Sequence, residues 1–388
     1  MSKKKKRCLL VITGAFEADG GIAAVNRLVI KSFAEEGYFL DIHSLNERSS
    51  QVDNRYIPPG QVNLRVFNKN KVAFTVATWK AMLSCKYDYI VGDLVNLACI
   101  MAVFSKLFKK RYISWLYGID VFPPRPDLEG RVGLRNAWKR LAISNYTRDV
   151  VTERFPNLSI EVCDLALDPV RHVASLPPEP PTFTGRIDLE AVDGVVRTLE
   201  SQLILHVGRM DDAERYKGQD TLLQAFLEIL EKFPRAQLLL AGQGKDSGRL
   251  RQIAESHPPA VQARIFMPGY VETSLLDQIY RTCYLFAMPS KMEGFGLVYL
   301  EAMSRAKPCL GGNVDATPGV VREGLTGLLV DDPTSAGQVA EKVIWLLDHP
   351  EEARAMGLAG YNLVRSQYLF PQFKRRFWQH ISQEKPVL

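Results

Sequence analysis

No apolar run in the sequence is long enough to cross a bilayer. The longest, LACIMAVF at 97–104, falls well short of the roughly 20 residues that a membrane-spanning helix needs. The opening MSKKKKRCLLVI carries positive charge, but its apolar stretch is too short for a secretory signal and shows no small-residue cleavage site. The expectation is a cytoplasmic protein, at most peripheral at the inner face of a membrane. Cysteine is sparse and scattered: Cys8, Cys85, Cys99, Cys163, Cys283 and Cys309 form no CxxC pair and have no histidine at zinc spacing. That argues against a disulfide framework and a structural zinc site, and for buried reduced thiols. No D-x-D triplet occurs, so metal-assisted transfer of the kind that holds a divalent ion against a diphosphate lacks its carboxylate pair. No internal repeat of 20–50 residues is present, nor any low-complexity tract beyond the lysine run.

What is present suffices for two cores: 388 residues with 46% hydrophobic content exceed what one core usually organises. The first half reads as strand then helix, repeatedly: CLLVITG, then GGIAAVNRLVIKSFAEEG, FLDIHSL, YDYIVGD, LACIMAVFSKLF and RYISWLYG. Short apolar strands alternating with helices imply a parallel sheet covered on both faces. SLPPEPPTFTG at 175–185 breaks both periodicities and reads as a linker. The alternation then restarts with LILHVGR, GQDTLLQAFLEILEKF, AQLLLAGQG, SGRLRQIAESH, RIFMPGYV, SLLDQIYRTC and YLFAMPS. The fold expected is α/β, two Rossmann-like domains facing one another, with ligands held in the cleft beyond the strand ends. The domains are placed at 1–178 and 186–368, followed by a closing helix at 369–388.

Three loops of the second half follow strands. HVGRMDDAERYKGQD places Gly208 and Arg209 just after a strand and Lys217 just before a helix. A guanidinium and an ammonium beside a helix end can clamp a diphosphate; two solvated surface cations are the competing reading. LAGQGKD supplies Gly242 and Gly244, where backbone can approach a ligand, although a lone GxG is equally an ordinary turn. SKMEGFGLVYLEAMSRAKP puts Glu293 ahead of Gly294, Phe295 and Gly296, and Glu301 eight positions on, in a helix beginning near Leu297. The glycines can point backbone N–H groups at an anion. Glu301, about 6 Å along the helix axis, could accept hydrogen bonds from a ribose diol while Glu293 holds sugar hydroxyls. A capping glutamate followed by a core glutamate that reaches outward is the plainer alternative.

Together RM…RYKGQDTLLQAF, LAGQG, F.PGYV, MPSKMEGFGLVYLEAMSRAKP and TPGVVREGLTGLLV resemble the retaining GT-B glycosyltransferases of family 4, with its E-x7-E motif at Glu293 and Glu301. The resemblance implies that Arg209 and Lys217 neutralise a donor diphosphate, Glu293 meets the donor sugar, Glu301 meets the ribose, and the backbone near Pro268, Gly269 and Tyr270 cradles the base. It implies a nucleotide-sugar donor, UDP-linked first and GDP-linked second, with no metal or other cofactor. Transfer would retain configuration by a front-face displacement, the protein supplying position and field. In the first half, EADGGIAAVNRLV resembles the family's glycine loop, with Gly20 and Gly21 before a helix, and LAISNYTRDVV resembles its serine-containing segment. SWLYGIDVF aligns with a frequent H-G-x-D segment but carries Tyr117 in the histidine position; Tyr117 and Asp120 become candidates near the reacting groups, or are ordinary strand-end residues. The six histidines are given buried or surface structural roles. The closing YLFPQFKRRFWQHI resembles the family's terminal helix that crosses back to the first domain.

Up to Pro180 the chain carries 26 Lys+Arg against 18 Asp+Glu. Its basic stretches, KKKKR, SKLFKKRY and RVGLRNAWKRLAI, mix cations with Phe104, Phe108 and Trp138, and could lie against anionic lipid. A solvated face is the alternative. Partners are then a nucleotide sugar, a glycan or lipid-linked acceptor in polysaccharide assembly, and a membrane surface; nucleic acid is not expected, because no recognised module accompanies the charge. Two rival functions remain: a nucleotide-sugar epimerase of the same fold, and a non-catalytic nucleotide-sugar-binding scaffold.

Overall fold

The computed structural model describes residues 6–17, 20–84, 87–108, 111–118, 121–122, 128–172, 175–180 and 185–382. The chain divides into two compact units, one of 1–174 with 368–388 and the other of 175–367.

The first unit is built on seven strands: β1 (Arg7–Ile12), β2 (Phe39–Ser44), β3 (Val62–Val66), β4 (Tyr89–Gly92), β5 (Ile113–Leu116), β6 (Lys139–Ala142) and β7 (Glu161–Val162). All pairings are parallel, in the order β3-β2-β1-β4-β5-β6-β7. β1 is apolar and buried along Cys8–Ile12, as a strand covered by helices on both faces must be. Strand order reverses between β1 and β4, so the loops after them diverge and leave a crevice at their carboxyl ends. The closing helix Phe370–Ser382 belongs to this unit. Its buried residues Phe370, Phe373, Phe377 and Ile381 recur at helical spacing, and Phe373 and Phe377 stack on Trp115 at 6.3 and 5.9 Å.

The second unit begins with the antiparallel pair β8 (Asp188–Glu190) and β9 (Val196–Thr198). Six parallel strands follow: β10 (Leu203–Val207), β11 (Gln237–Ala241), β12 (Ile265–Gly269), β13 (Leu285–Met288), β14 (Cys309–Gly312) and β15 (Gly327–Val330). Their order is β12-β11-β10-β13-β14-β15, the doubly wound arrangement again, with its reversal between β10 and β13. Helices Gln219–Lys232 and Ala336–Asp348 cover the sheet through Leu222, Leu223, Phe226 and Ile229 and through Val339, Val343 and Leu346. Among the described residues no helix is long and apolar enough to cross a membrane.

One buried ion pair ties the first unit together around the loop after β1. Arg27 Nε lies 2.5 Å from Asp168 Oδ2, both side chains almost wholly buried, and Arg27 also donates to the Ala15 carbonyl at 2.7 Å. Tyr56 donates its hydroxyl to the other Asp168 oxygen at 2.6 Å. Burial alone would raise the Asp168 carboxyl, yet Arg27 and Tyr56 hold it below the ordinary range. Because an orphaned buried charge is costly, Arg27→Met will destabilise the fold by about 3–5 kcal/mol. Pairing it with Asp168→Asn will recover part of that loss, as urea unfolding of the two variants will show.

Candidate functional site

The loops after β10, β11 and β13 meet at the carboxyl edge of the second sheet. The chain leaves β10 through Gly208 and Arg209, turns in a 3-10 helix at Asp212–Lys217 and enters the next helix through Gly218 at φ 82°. That turn brings Arg209 and Lys217 to one carboxylate. Arg209 pairs with Glu214 Oε1, and Lys217 Nζ lies 2.8 Å from Glu214 Oε2. Glu214 is buried, Lys217 mostly so, and Arg209 is 60% exposed. The two predicted cations therefore share an anchor that sequence reasoning missed, since Glu214 looks no different from Asp211 and Asp212 beside it.

The loop after β13 is fastened to this turn. Lys291 N donates to Tyr216 O at 3.0 Å, and a Cβ on Gly218 would stand 2.5 Å from Pro289 O. Glu293 follows, its backbone fixed at both ends: its N–H donates to Asp315 Oδ2 at 2.6 Å, and Ala316 N donates to its carbonyl at 3.1 Å. Asp315 is buried and also accepts from Thr317 N at 2.8 Å. Loss of water pushes the Glu293 carboxyl up to about 7; Lys217 opposes this, Asp315 and Glu214 add to it, and Arg209 opposes it. Phe295 is buried, and Gly296 at φ 89° opens the helix Leu297–Met303, because a Cβ there would also strike the Tyr299 ring at 2.5 Å. Glu301, on that helix, is buried and accepts from the Tyr280 hydroxyl at 3.0 Å. Tyr280 and Asp315 join Glu214 as residues the motifs did not single out.

The glycines of the β11 loop have a different reason from the one expected. A Cβ on Gly242, at φ +141°, would stand 1.9 Å from Gly208 O, and one on Gly244 would stand 2.4 Å from Met210 O. The backbone they admit is that of the β10 loop. Gly269 takes φ +74° and its carbonyl accepts from Gly242 N at 2.8 Å. Pro268 precedes it, and Tyr270 projects half-exposed from the end of β12. A Cβ on Gly208 would meet Lys217 Cδ at 3.2 Å and His206 Nε2 at 3.3 Å. His206 is fully buried on β10, with Nδ1 3.1 Å from the Ala287 carbonyl. A carbonyl only accepts, so Nδ1 carries the proton. Nε2 is left without a hydrogen-bond partner among the described residues. Burial pushes this imidazole down to about 4.

In the first unit the segment after β1 that leads to the glycine pair is closed over Glu47, which follows β2. The amides of Ala15, Phe16 and Glu17 all donate to Glu47 Oε1, at 2.9 Å from Ala15 and 3.2 Å from Glu17. Asp93 takes both the amide and the hydroxyl of Thr13 at 2.6 Å. At Gly20, with φ 120°, and at Gly21 an added Cβ would meet nothing within 4 Å. Ser144, in the serine-containing segment, caps the helix Asn145–Arg154 by accepting from Thr147 N at 3.1 Å. Tyr117 is buried, tilted against Trp115 at 6.4 Å, and Asp120 lies outside the described residues.

Two doubly wound units make the fold class GT-B, and solved structures share it. HepE from Anabaena, in complex with UDP, aligns over 98% of this chain and 100% of its own, at TM-score 0.75 and 15% identity. Sucrose-phosphate synthase from Thermosynechococcus elongatus aligns over 98% and 99%, at TM-score 0.74 and 19% identity. Residues 194–363 match the family model described as Glycosyl transferases group 1, the stretch that carries Gly208 through Glu301. A GDP-mannose-dependent alpha-(1-6)-phosphatidylinositol monomannoside mannosyltransferase of Mycobacterium tuberculosis is 35% identical over 159 residues, 39% of this chain and 40% of its own. A D-inositol 3-phosphate glycosyltransferase of Segniliparus rotundus is 34% identical over 161 residues, 41% and 35% respectively. The chain spans well under half the length of these curated relatives.

The Glu293 shift carries a pH signature. A carboxyl raised from 4.5 to about 7 binds its proton more tightly when folded, so stability falls as pH rises through that window and is level above it. Glu293→Gln mimics the protonated form. Its unfolding free energy will match wild type at pH 4.5 and exceed it at pH 8 by on the order of 1–2 kcal/mol, seen as a higher melting temperature at pH 8.

Proposed function

We propose that this protein is a glycosyltransferase that moves a hexose from a nucleoside-diphosphate sugar to a hydroxyl acceptor, a glycan or a lipid-linked saccharide. The observation that carries the reading is the junction of Arg209, Lys217 and Glu214 beside the half-buried Glu293, within the segment that matches the glycosyltransferase family model. The relatives are named for GDP-mannose and inositol phosphate, and HepE was also solved with UDP-glucose. A UDP- or GDP-linked hexose is the donor class proposed.

Each residue then has a defined task. Arg209, exposed enough to reach outward, and Lys217, held at Glu214, offset the charge that gathers on the departing diphosphate; charge-assisted hydrogen bonds of this kind are the strong ones. Glu293, its carboxyl raised toward neutrality by burial, can donate as well as accept when protonated, which suits a carboxyl meeting sugar hydroxyls. Glu301 has one oxygen oriented by Tyr280 and offers acceptor capacity to the ribose diol. Tyr270 and the backbone of Pro268 and Gly269, at the end of β12, are assigned to the base on this reading. No D-x-D pair is present, so the leaving group is stabilised by these cations without a metal, and configuration is retained by displacement on the face the leaving group vacates. A lipid-linked acceptor would place the protein peripherally on a membrane, in polysaccharide or glycolipid assembly.

The test is turnover against a panel of UDP- and GDP-hexoses with 10 mM-scale chelator present, following nucleotide release with and without alkyl-glycoside acceptors. One donor should turn over in chelator. Arg209→Ala should lower kcat/KM by about 10- to 150-fold, the loss of one hydrogen bond to a charged group worth roughly 1.5–3 kcal/mol. Donor binding without any turnover would assign the scaffold reading instead, and conversion of the donor to its epimer without acceptor would assign the epimerase.

A further inference from the structure

The helix Lys71–Ser84 is apolar on both sides. Phe74, Thr78 and Met82 are buried beneath it, yet Val72, Val76 and Leu83 stand 74%, 41% and 55% exposed on the opposite side. At 100° per residue those three side chains fall within about 40° of one another, so they form one stripe along the helix. Val103 extends the patch from the neighbouring helix Val95–Phe108. That helix is joined to the first by Trp79, which donates Nε1–H to Ile100 O at 2.9 Å and packs on Phe104 at 5.1 Å. A contiguous apolar stripe on a surface helix marks a contact face.

The sequence of the two helices and their flanks carries one sign of charge. From Tyr56 to Tyr87 the chain has no Asp or Glu but five cations, Arg65, Lys69, Lys71, Lys80 and Lys86, and from Leu94 to Ile119 it has none against four more. Lys69, Lys71 and Lys80 are exposed about the stripe. Two basic residues further along this unit are by contrast committed to the fold. In the stretch 131–143, Lys139 pairs with Glu161 at 2.5 Å, and Arg140 donates to the Leu134 and Arg135 carbonyls at 2.6 and 3.1 Å. Trp138 lies against Arg111 and Lys139.

We propose that the outer face of the helix Lys71–Ser84, with Val103 beside it, docks onto an anionic lipid bilayer, the apolar stripe entering the headgroup boundary and the lysines meeting lipid phosphates. An apolar ridge with cations on its flanks is what an acidic bilayer surface binds. This extends the peripheral-membrane reading above and names the face that carries it. It differs from the sequence expectation, which looked to the basic stretches and not to this helix.

The experiment is cosedimentation of the full chain with phosphatidylcholine vesicles and with vesicles containing 30 mol%-scale phosphatidylglycerol, beside Val72→Ser/Val76→Ser/Leu83→Ser and Lys71→Glu/Lys80→Glu. Wild type should bind only the anionic vesicles and release in high salt. Each variant should lose at least about tenfold in partitioning while keeping its melting temperature and its affinity for nucleoside diphosphate. Val72→Trp should shift its emission to the blue on the anionic vesicles and be quenched by brominated acyl chains. Wild-type binding that all variants retain, with no Val72→Trp shift, would overturn this face while leaving a membrane role elsewhere. No vesicle binding at all would overturn both. A lipid-free dimer that the serine variant dissociates would assign the stripe to a second copy of the chain and overturn the proposal.

Discussion

A single buried carboxylate, Glu214, organises the candidate site. Arg209 and Lys217 lie eight positions apart and would repel one another if left side by side with their water removed. With Glu214 between them they converge, the guanidinium on one carboxylate oxygen and the ammonium on the other. Taking that carboxylate out of water is costly, and the two cations offset the cost. Burial raises the Glu293 carboxyl, and the cluster acts on it further: Lys217 and Arg209 pull it down while Asp315 and Glu214 push it up. On the proposed reading, an arriving diphosphate meets cations already held in place, so little conformational freedom is lost on binding.

The surrounding loops are shaped by how closely backbones pass. Gly242 and Gly244 exist for the β10 loop that crosses them, Gly218 for Pro289, and Gly312 for Ser290, whose carbonyl a Cβ would meet at 1.9 Å. Side chains at these points would separate loops that the cation turn and Glu293 need adjacent. The first unit solves a similar problem with charge. Glu47 fills the concavity formed by three successive amides after β1, a place where such amides otherwise bind anions.

Much of this was legible beforehand. The alternation of apolar strands and amphipathic helices indicates two doubly wound units, and strands such as LILHVGR and YLFAMPS lie where the pattern places them, because buried parallel strands read as continuous apolar runs. Arg209, Lys217, Glu293 and Glu301 stand out by residue type at the ends of those runs. Glu214, Asp315 and Tyr280 do not, since their importance comes from tertiary partners far along the chain or from one acid among several neighbours. His206 illustrates the limit from the other side. Its burial and structural Nδ1 bond agree with a strand histidine, but its open Nε2 beside Lys217 follows only from the packing of Gly208. The helix Lys71–Ser84 escaped notice because apolar residues on both faces erase the periodicity that reveals an amphipathic helix.

The proposed function requires that the Arg209–Glu214–Lys217 turn be a diphosphate site. Calorimetric titration of UDP and GDP into wild type and Lys217→Met, both confirmed folded, tests this. Saturable one-to-one binding of at least one of the two nucleotides is expected, weakened about tenfold or more by Lys217→Met, the equivalent of one charge-assisted contact. Equal affinity in the two proteins, or no binding to wild type, would contradict it.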